Sequence, residues 1–100
     1  MNGSRDRELI ARLVKRGVES RMSWQKFADV SKVSRATLYR VQDADPRVTE
    51  RTLRKIERGL GLPYESLSAV GAHDFDVLIE QGMDRGLVQW LQQQVSKRES

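Results

Sequence analysis

The chain of 100 residues contains no cysteine and a single histidine, His73. Disulfides and cysteine-ligated zinc are thereby excluded, and one imidazole does not make a zinc site of the usual kind. No apolar run approaches the roughly 18 residues of a membrane span. The opening Met1-Asn2-Gly3-Ser4-Arg5-Asp6-Arg7-Glu8 passes straight into charges with no apolar stretch behind it. A soluble protein of a reducing cytoplasm, away from membranes, is the expectation. No segment alternates polar and apolar residues long enough to build a sheet, and there is no repeat or low-complexity tract. A phosphate loop, a metal motif and a dinucleotide fingerprint are all missing, so no cofactor is expected.

What the chain does carry is positive charge, unevenly placed. Residues 1–60 hold 15 Lys and Arg against 8 Asp and Glu, net +7; residues 61–100 hold 3 against 6, net −3; together these make the overall +4. Concentrated positive charge favours a polyanion such as nucleic acid, while the acidic remainder points away from it or serves another purpose. A merely solvated surface is the alternative on charge alone. With 38% hydrophobic residues, the length suits one main domain with a modest core and is too small for the usual two-domain enzyme.

Helical spacing dominates. Ser4 is placed to cap a first helix whose Leu9, Ile10, Leu13, Val14 and Val18 line one face, ending near Ser20, with Gly17 inside a packed surface. Ser23 opens a short helix carrying Trp24, Phe27 and Val30. Thr49 followed by Glu50 caps a helix with Leu53, Ile56 and Leu60 at helical spacing, stopped by Gly61. Pro63 suits the first turn of a fifth short helix. Beyond Leu67, Phe75, Leu78, Ile79 and Met83 line one further helix starting near Asp74. Leu87, Val88, Trp90, Leu91 and Val95 line another, with Gly82 and Gly86 between them and a frayed end from Ser96.

The stretch "SKVSRATLYR", residues 31–40, is ambiguous by itself. Val33, Thr37, Leu38 and Tyr39 suit a strand, whereas Ser34 suits a helix cap. Its surroundings favour the helix: Leu38 and Val41 lie three apart, with Ala36, Arg40 and Asp43 on the opposite side, and Asp45-Pro46 closes the segment. Two short helices joined by a tight turn then have helix-turn-helix dimensions. Ala28 gives a small residue where the helices cross, Val33 a buried residue after the turn, and Leu38 and Val41 inward anchors.

On these residues, "MSWQKFADVSKVSRATLYRVQ" (22–42) resembles the helix-turn-helix of the lambda-repressor and Cro-like (XRE) regulators. "TERTLRKIERGLGLPYESL" (49–67) resembles the fourth and fifth helices of the same domain. The resemblance covers residues of about 9 to 67. It implies an all-α fold: a five-helix DNA-binding domain over residues 4–67, with the helix-turn-helix at 23–43, and a helical C-terminal extension over 68–97. Lys32 departs from the family, which often has glycine at this turn; a left-handed conformation there costs a side chain about 1 kcal/mol. The family commonly opens its scaffold helix with a phosphate-contacting Gln, whereas here Trp24 stands in that place and Gln25 follows.

The resemblance further implies a sequence-specific regulator of double-stranded DNA, a repressor of phage or bacterial type, whose helix 34–43 lies in the major groove. Arg35, Ala36 and Arg40 then occupy base-reading positions, with Tyr39 at the edge of the same face. Arg pairs bidentately with guanine, and Ala36 suits a thymine methyl. Trp24, Gln25, Ser34, Thr37 and Arg47 are the phosphate candidates. A homodimer, at least on a pseudo-palindromic operator, is expected, with Leu87, Trp90 and Leu91 as its contact. Folding of that stripe back onto the main core is the competing expectation. An antitoxin-like interaction module of the same fold, holding a protein partner through residues 74–96, is the alternative function. Catalysis is not expected: His73, Asp74, Asp76 and Ser68 are the ingredients of a triad, but neighbours on one short stretch seldom make its geometry, and Asp74 reads as a helix cap.

Overall fold

A computed structural model describes residues 5–99. Their regular structure is entirely helical: α1 (Arg7–Glu19), α2 (Trp24–Ser31), α3 (Arg35–Gln42), α4 (Glu50–Leu60), α5 (Ser66–Gly71), α6 (Phe75–Glu80) and α7 (Arg85–Glu99). None of them is long and apolar enough to cross a membrane. The all-α expectation therefore holds.

The first helix organises the rest. Its Leu9, Ile10, Ala11, Leu13, Val14 and Val18 are all buried, a stripe broad enough to receive helices on more than one side. It packs against α3, α5 and α7, and more lightly against α2 and α4. Gly17 sits inside that surface as expected; a Cβ there would meet the Leu60 side chain at 3.2 Å. Ser4, the expected cap, lies outside the described residues. Asp6 occupies the cap position, its carboxylate accepting from the Leu9 N–H at 3.0 Å. The other caps fall where the sequence places them, with Ser23 accepting from Lys26 N–H, Ser34 from Thr37 N–H and Thr49 from Thr52 N–H.

The fifth helix departs from expectation. Pro63 does not open it; the chain first makes a turn, Glu65 takes a left-handed conformation (φ 65), and the helix begins at Ser66. The reason is Glu57, almost completely buried on α4. Its two carboxylate oxygens accept the Glu65 N–H at 2.8 Å and the Leu67 N–H at 2.9 Å, so a side chain from another helix caps this one. Arg54 donates to the same carboxylate at 2.9 Å and to Ser68 Oγ at 2.8 Å. Ser68 donates in turn to Glu50, which also pairs with Arg5. α4 itself ends at Gly61 (φ 71), with the Leu62 N–H returning to the Glu57 carbonyl at 2.9 Å.

The last two helices fold back. Leu78, Val88 and Leu91 are fully buried, and α7 lies against α1 and α6. The left-handed Gly82 separates α6 from α7, while Gly86 lies within the first turn of α7 rather than between the two helices. α7 continues to Glu99 instead of fraying from Ser96, because Arg98 pairs with Asp6 and Glu8 at the other end of the chain. His73 Nε2 lies 2.6 Å from Asp6 Oδ2, so Asp6 joins both chain ends and the α5–α6 turn. Partial burial pushes the Asp6 carboxyl up. Hydrogen bonds from Arg98, His73 and the Leu9 amide outweigh that and hold it well below the usual carboxylate range.

Two outcomes follow from these contacts. Glu57→Gln should lower unfolding stability by about 3 kcal/mol in urea titration, because Arg54 and two helix amides lose a charged acceptor inside the protein. Because the Asp6 pKa is depressed in the folded state, its contribution is complete above the unfolded carboxylate pKa of about 4 and declines as pH falls below it. Asp6→Asn should therefore reduce stability at neutral pH and flatten the acid limb of the stability profile below about pH 4; an unchanged acid limb in pH-dependent melting would argue against this role.

Candidate nucleic-acid interface

Between α2 and α3 the chain turns in three residues. Lys32, in left-handed conformation (φ 62), closes α2 by donating its N–H to the Ala28 carbonyl at 3.0 Å, the single-bond form of helix ending that glycine usually makes. Ser31, buried, donates its hydroxyl to the Phe27 carbonyl and accepts the Val33 N–H. Val33, Leu38 and Val41 are buried, so α3 is anchored along its inner side. That placement leaves Ser34, Arg35, Ala36, Tyr39, Arg40 and Asp43 exposed on its outer side. Thr37 is half-buried and is tied to Ser34 through both its N–H (3.2 Å) and its hydroxyl (3.0 Å).

The expected base-reading residues are thus side by side in solvent. Arg35 donates to the Tyr39 hydroxyl at 2.7 Å, with its guanidinium 5.7 Å from the ring centroid. One turn apart, this pair restricts the Arg35 side chain while leaving its other N–H groups exposed. Arg40 is exposed, with no carboxylate within ion-pair distance among the described residues, although its charge is felt by Asp45. Gln25 is exposed at the start of α2.

Other expected contacts are engaged within the protein. The Trp24 indole N–H donates to Glu19 at 3.1 Å, and its ring meets Phe27 edge-on at 6.4 Å. It therefore packs rather than presenting a free donor. Arg47 forks onto Asp45, with Nη2 to Oδ2 at 2.8 Å and Nε to Oδ1 at 3.1 Å. These bonds pull the Asp45 pKa down to about 2. Any phosphate approaching Arg47 competes with that carboxylate. Leu91 is fully buried in the protein's own core, and Leu87 and Trp90 are partly buried against it, with Arg16 4.6 Å from the Trp90 ring centroid. Two of the three residues expected at a dimer contact are thus half-covered and the third is inaccessible, because the flank of α1 draws α7 onto itself.

His73 pairs with Asp6, while Ser68 bonds to Arg54 and Glu50; Asp74 stands at the start of α6 without making a side-chain cap bond. Among the described residues no group of His, Asp or Glu is arranged to hold a metal ion. The Glu57 cap and the Asp6 junction were not anticipated. The signal for Glu57 is its spacing, four residues after Leu53 and three before Leu60, which sets a carboxylate on the apolar face of α4. The chain matches no family model, no curated protein and no solved structure.

Lys32→Gly should raise stability by about 1 kcal/mol in chemical unfolding, since it removes the left-handed side-chain strain and keeps the amide bond to Ala28. A loss of stability would mean that the Lys32 side chain holds the turn.

Proposed function

We propose that this chain is a sequence-specific, double-stranded DNA-binding transcriptional regulator, a repressor of phage or bacterial type. Its first five helices would form a lambda-repressor-like domain, with α6 and α7 as an extension. The observation that carries the reading is the outer face of α3. Arg35, Ala36, Tyr39 and Arg40 are exposed together on a short helix anchored from below by Leu38 and Val41. A helix of that width enters the major groove, where Arg40 and Arg35 suit guanine and Ala36 suits a thymine methyl. The Tyr39 hydroxyl steadies Arg35 before binding, reducing the freedom lost on contact.

Phosphate contact falls to Ser34, Thr37, Gln25 and the amides at the starts of α2 and α3, with Arg47 released from Asp45 as DNA approaches. One such module makes a small interface, so two copies are expected to occupy a near-palindromic site with half-sites about one helical turn apart. The function is binding, with no catalytic step.

Random-site selection followed by gel-shift titration at several salt concentrations tests this reading. A preferred, guanine-containing half-site is expected, with a log–log salt slope of several units from counterion release. Arg40→Ala and Arg35→Ala should each relax preference at particular base pairs by about 1–3 kcal/mol, and Arg47→Ala should weaken all sequences alike. Selection that enriches no sequence would overturn the proposal.

A further inference from the structure

Several arginines outside the α3 face are held by the protein itself. Arg5, Arg12, Arg54 and Arg98 pair with carboxylates, Arg7 and Arg21 donate to backbone carbonyls, and Arg16 stacks on Trp90. A different arrangement occurs between the end of α2 and α4. There a cleft of 320 Å³ is lined by Val30, Ser31, Lys32, Lys55, Arg58 and Gly59. Lys55 and Arg58 stand three residues apart on α4, and Lys32 comes from the left-handed turn after α2. Among the described residues none of these three cations has a carboxylate within ion-pair distance.

Like charges do not converge on one concavity without raising the local potential. Gly59 is what brings the helices together there; a Cβ would come within 2.9 Å of the Phe27 ring and 3.1 Å of Ser31 Cβ. Val30, 46% exposed, adds an apolar wall beside the charges. None of the outward residues of α3 lines the cleft.

We propose that this cleft binds a small organic diphosphate, of the nucleoside diphosphate class. Arg58 offers a planar fork of N–H donors to one phosphoryl group, and Lys32 and Lys55 act as point charges. A terminal phosphoryl group carries about −1.5 to −2 charge near neutral pH and the inner one adds a single negative charge, so a diphosphate matches three cations better than a monophosphate does. The volume is at the small end of the about 300–1,000 Å³ typical of ligand sites, enough for the diphosphate with its organic part against Val30. A concave site on the α2–α4 flank suits a compact ligand better than a long duplex. The inference stands apart from DNA binding through α3, and its test needs no DNA.

Isothermal titration of the full chain with ADP, inorganic pyrophosphate and adenosine, at about 0.15 M salt, reads the site directly. Saturable one-to-one binding of ADP and pyrophosphate is expected, and none of adenosine. The Lys55→Ala/Arg58→Ala protein should bind both phosphates at least about tenfold more weakly, as loss of a charge-assisted bond implies. A control carrying Lys15→Ala and Arg85→Ala, which removes equal charge at exposed positions elsewhere, should bind as the parent does. No saturable binding, or equal losses in both double variants, overturns the proposal. So does a Lys55→Ala/Arg58→Ala protein that keeps its phosphate affinity, or a parent that binds DNA through these residues but neither small phosphate.

Discussion

A carboxylate taken out of water has to be held by donors, and in this protein Glu57 is held by three: the Arg54 guanidinium and the amides of Glu65 and Leu67. Those donors come from α4 and from the start of α5, so the charge stays satisfied only while the two helices keep their relative positions. Through Arg54 the same network passes to Ser68 and Glu50, and from Glu50 to Arg5, just before α1. The small core is thereby supported by a polar brace along one side. Apolar packing alone tolerates some sliding of helices; a shared carboxylate with directional bonds tolerates much less.

The other flank depends on α1. Once its buried stripe is broad enough to take α3, α5 and α7, the turn after α2 and the inward anchors of α3 settle which side of α3 remains in water. The exposed quartet Arg35, Ala36, Tyr39 and Arg40 is therefore a consequence of where Leu38 and Val41 are buried. The proposed recognition surface is built on the same contacts that stabilise the domain, which ties its presentation to the integrity of the core. The Arg35–Tyr39 pair then reduces the motion left on that surface.

Charge follows a similar division. Many arginines serve as structural donors, Arg21 to the Leu60 carbonyl and Arg98 to Asp6 among them. The cations with no carboxylate at ion-pair distance include Arg40 on α3 and Lys32, Lys55 and Arg58 at the α2–α4 cleft. Lys15, Lys26 and Arg51 are exposed elsewhere on the surface, so the surplus of basic residues in the first sixty positions is gathered only in part on α3 and at this cleft.

Read alone, the sequence determined the helical class, the apolar stripes, three of the helix caps and the outward set on α3. Each depends on spacing within a single helix or on a side chain reaching an amide three residues away. It missed what distant parts of the chain do to one another. Pro63 is a local signal for a helix start, yet Glu57 moves that start to Ser66 from across the α4–α5 turn. Polar residues near Ser96 signal fraying, yet Asp6 and Glu8 hold Arg98 from the opposite end of the chain. The stripe of Leu87, Trp90 and Leu91 is amphipathic by itself and equally suited to a second copy or to its own core. Only the tertiary structure shows Leu91 buried in the core with Leu87 and Trp90 half-covered beside it, because an apolar face specifies that it be covered and says nothing of what covers it.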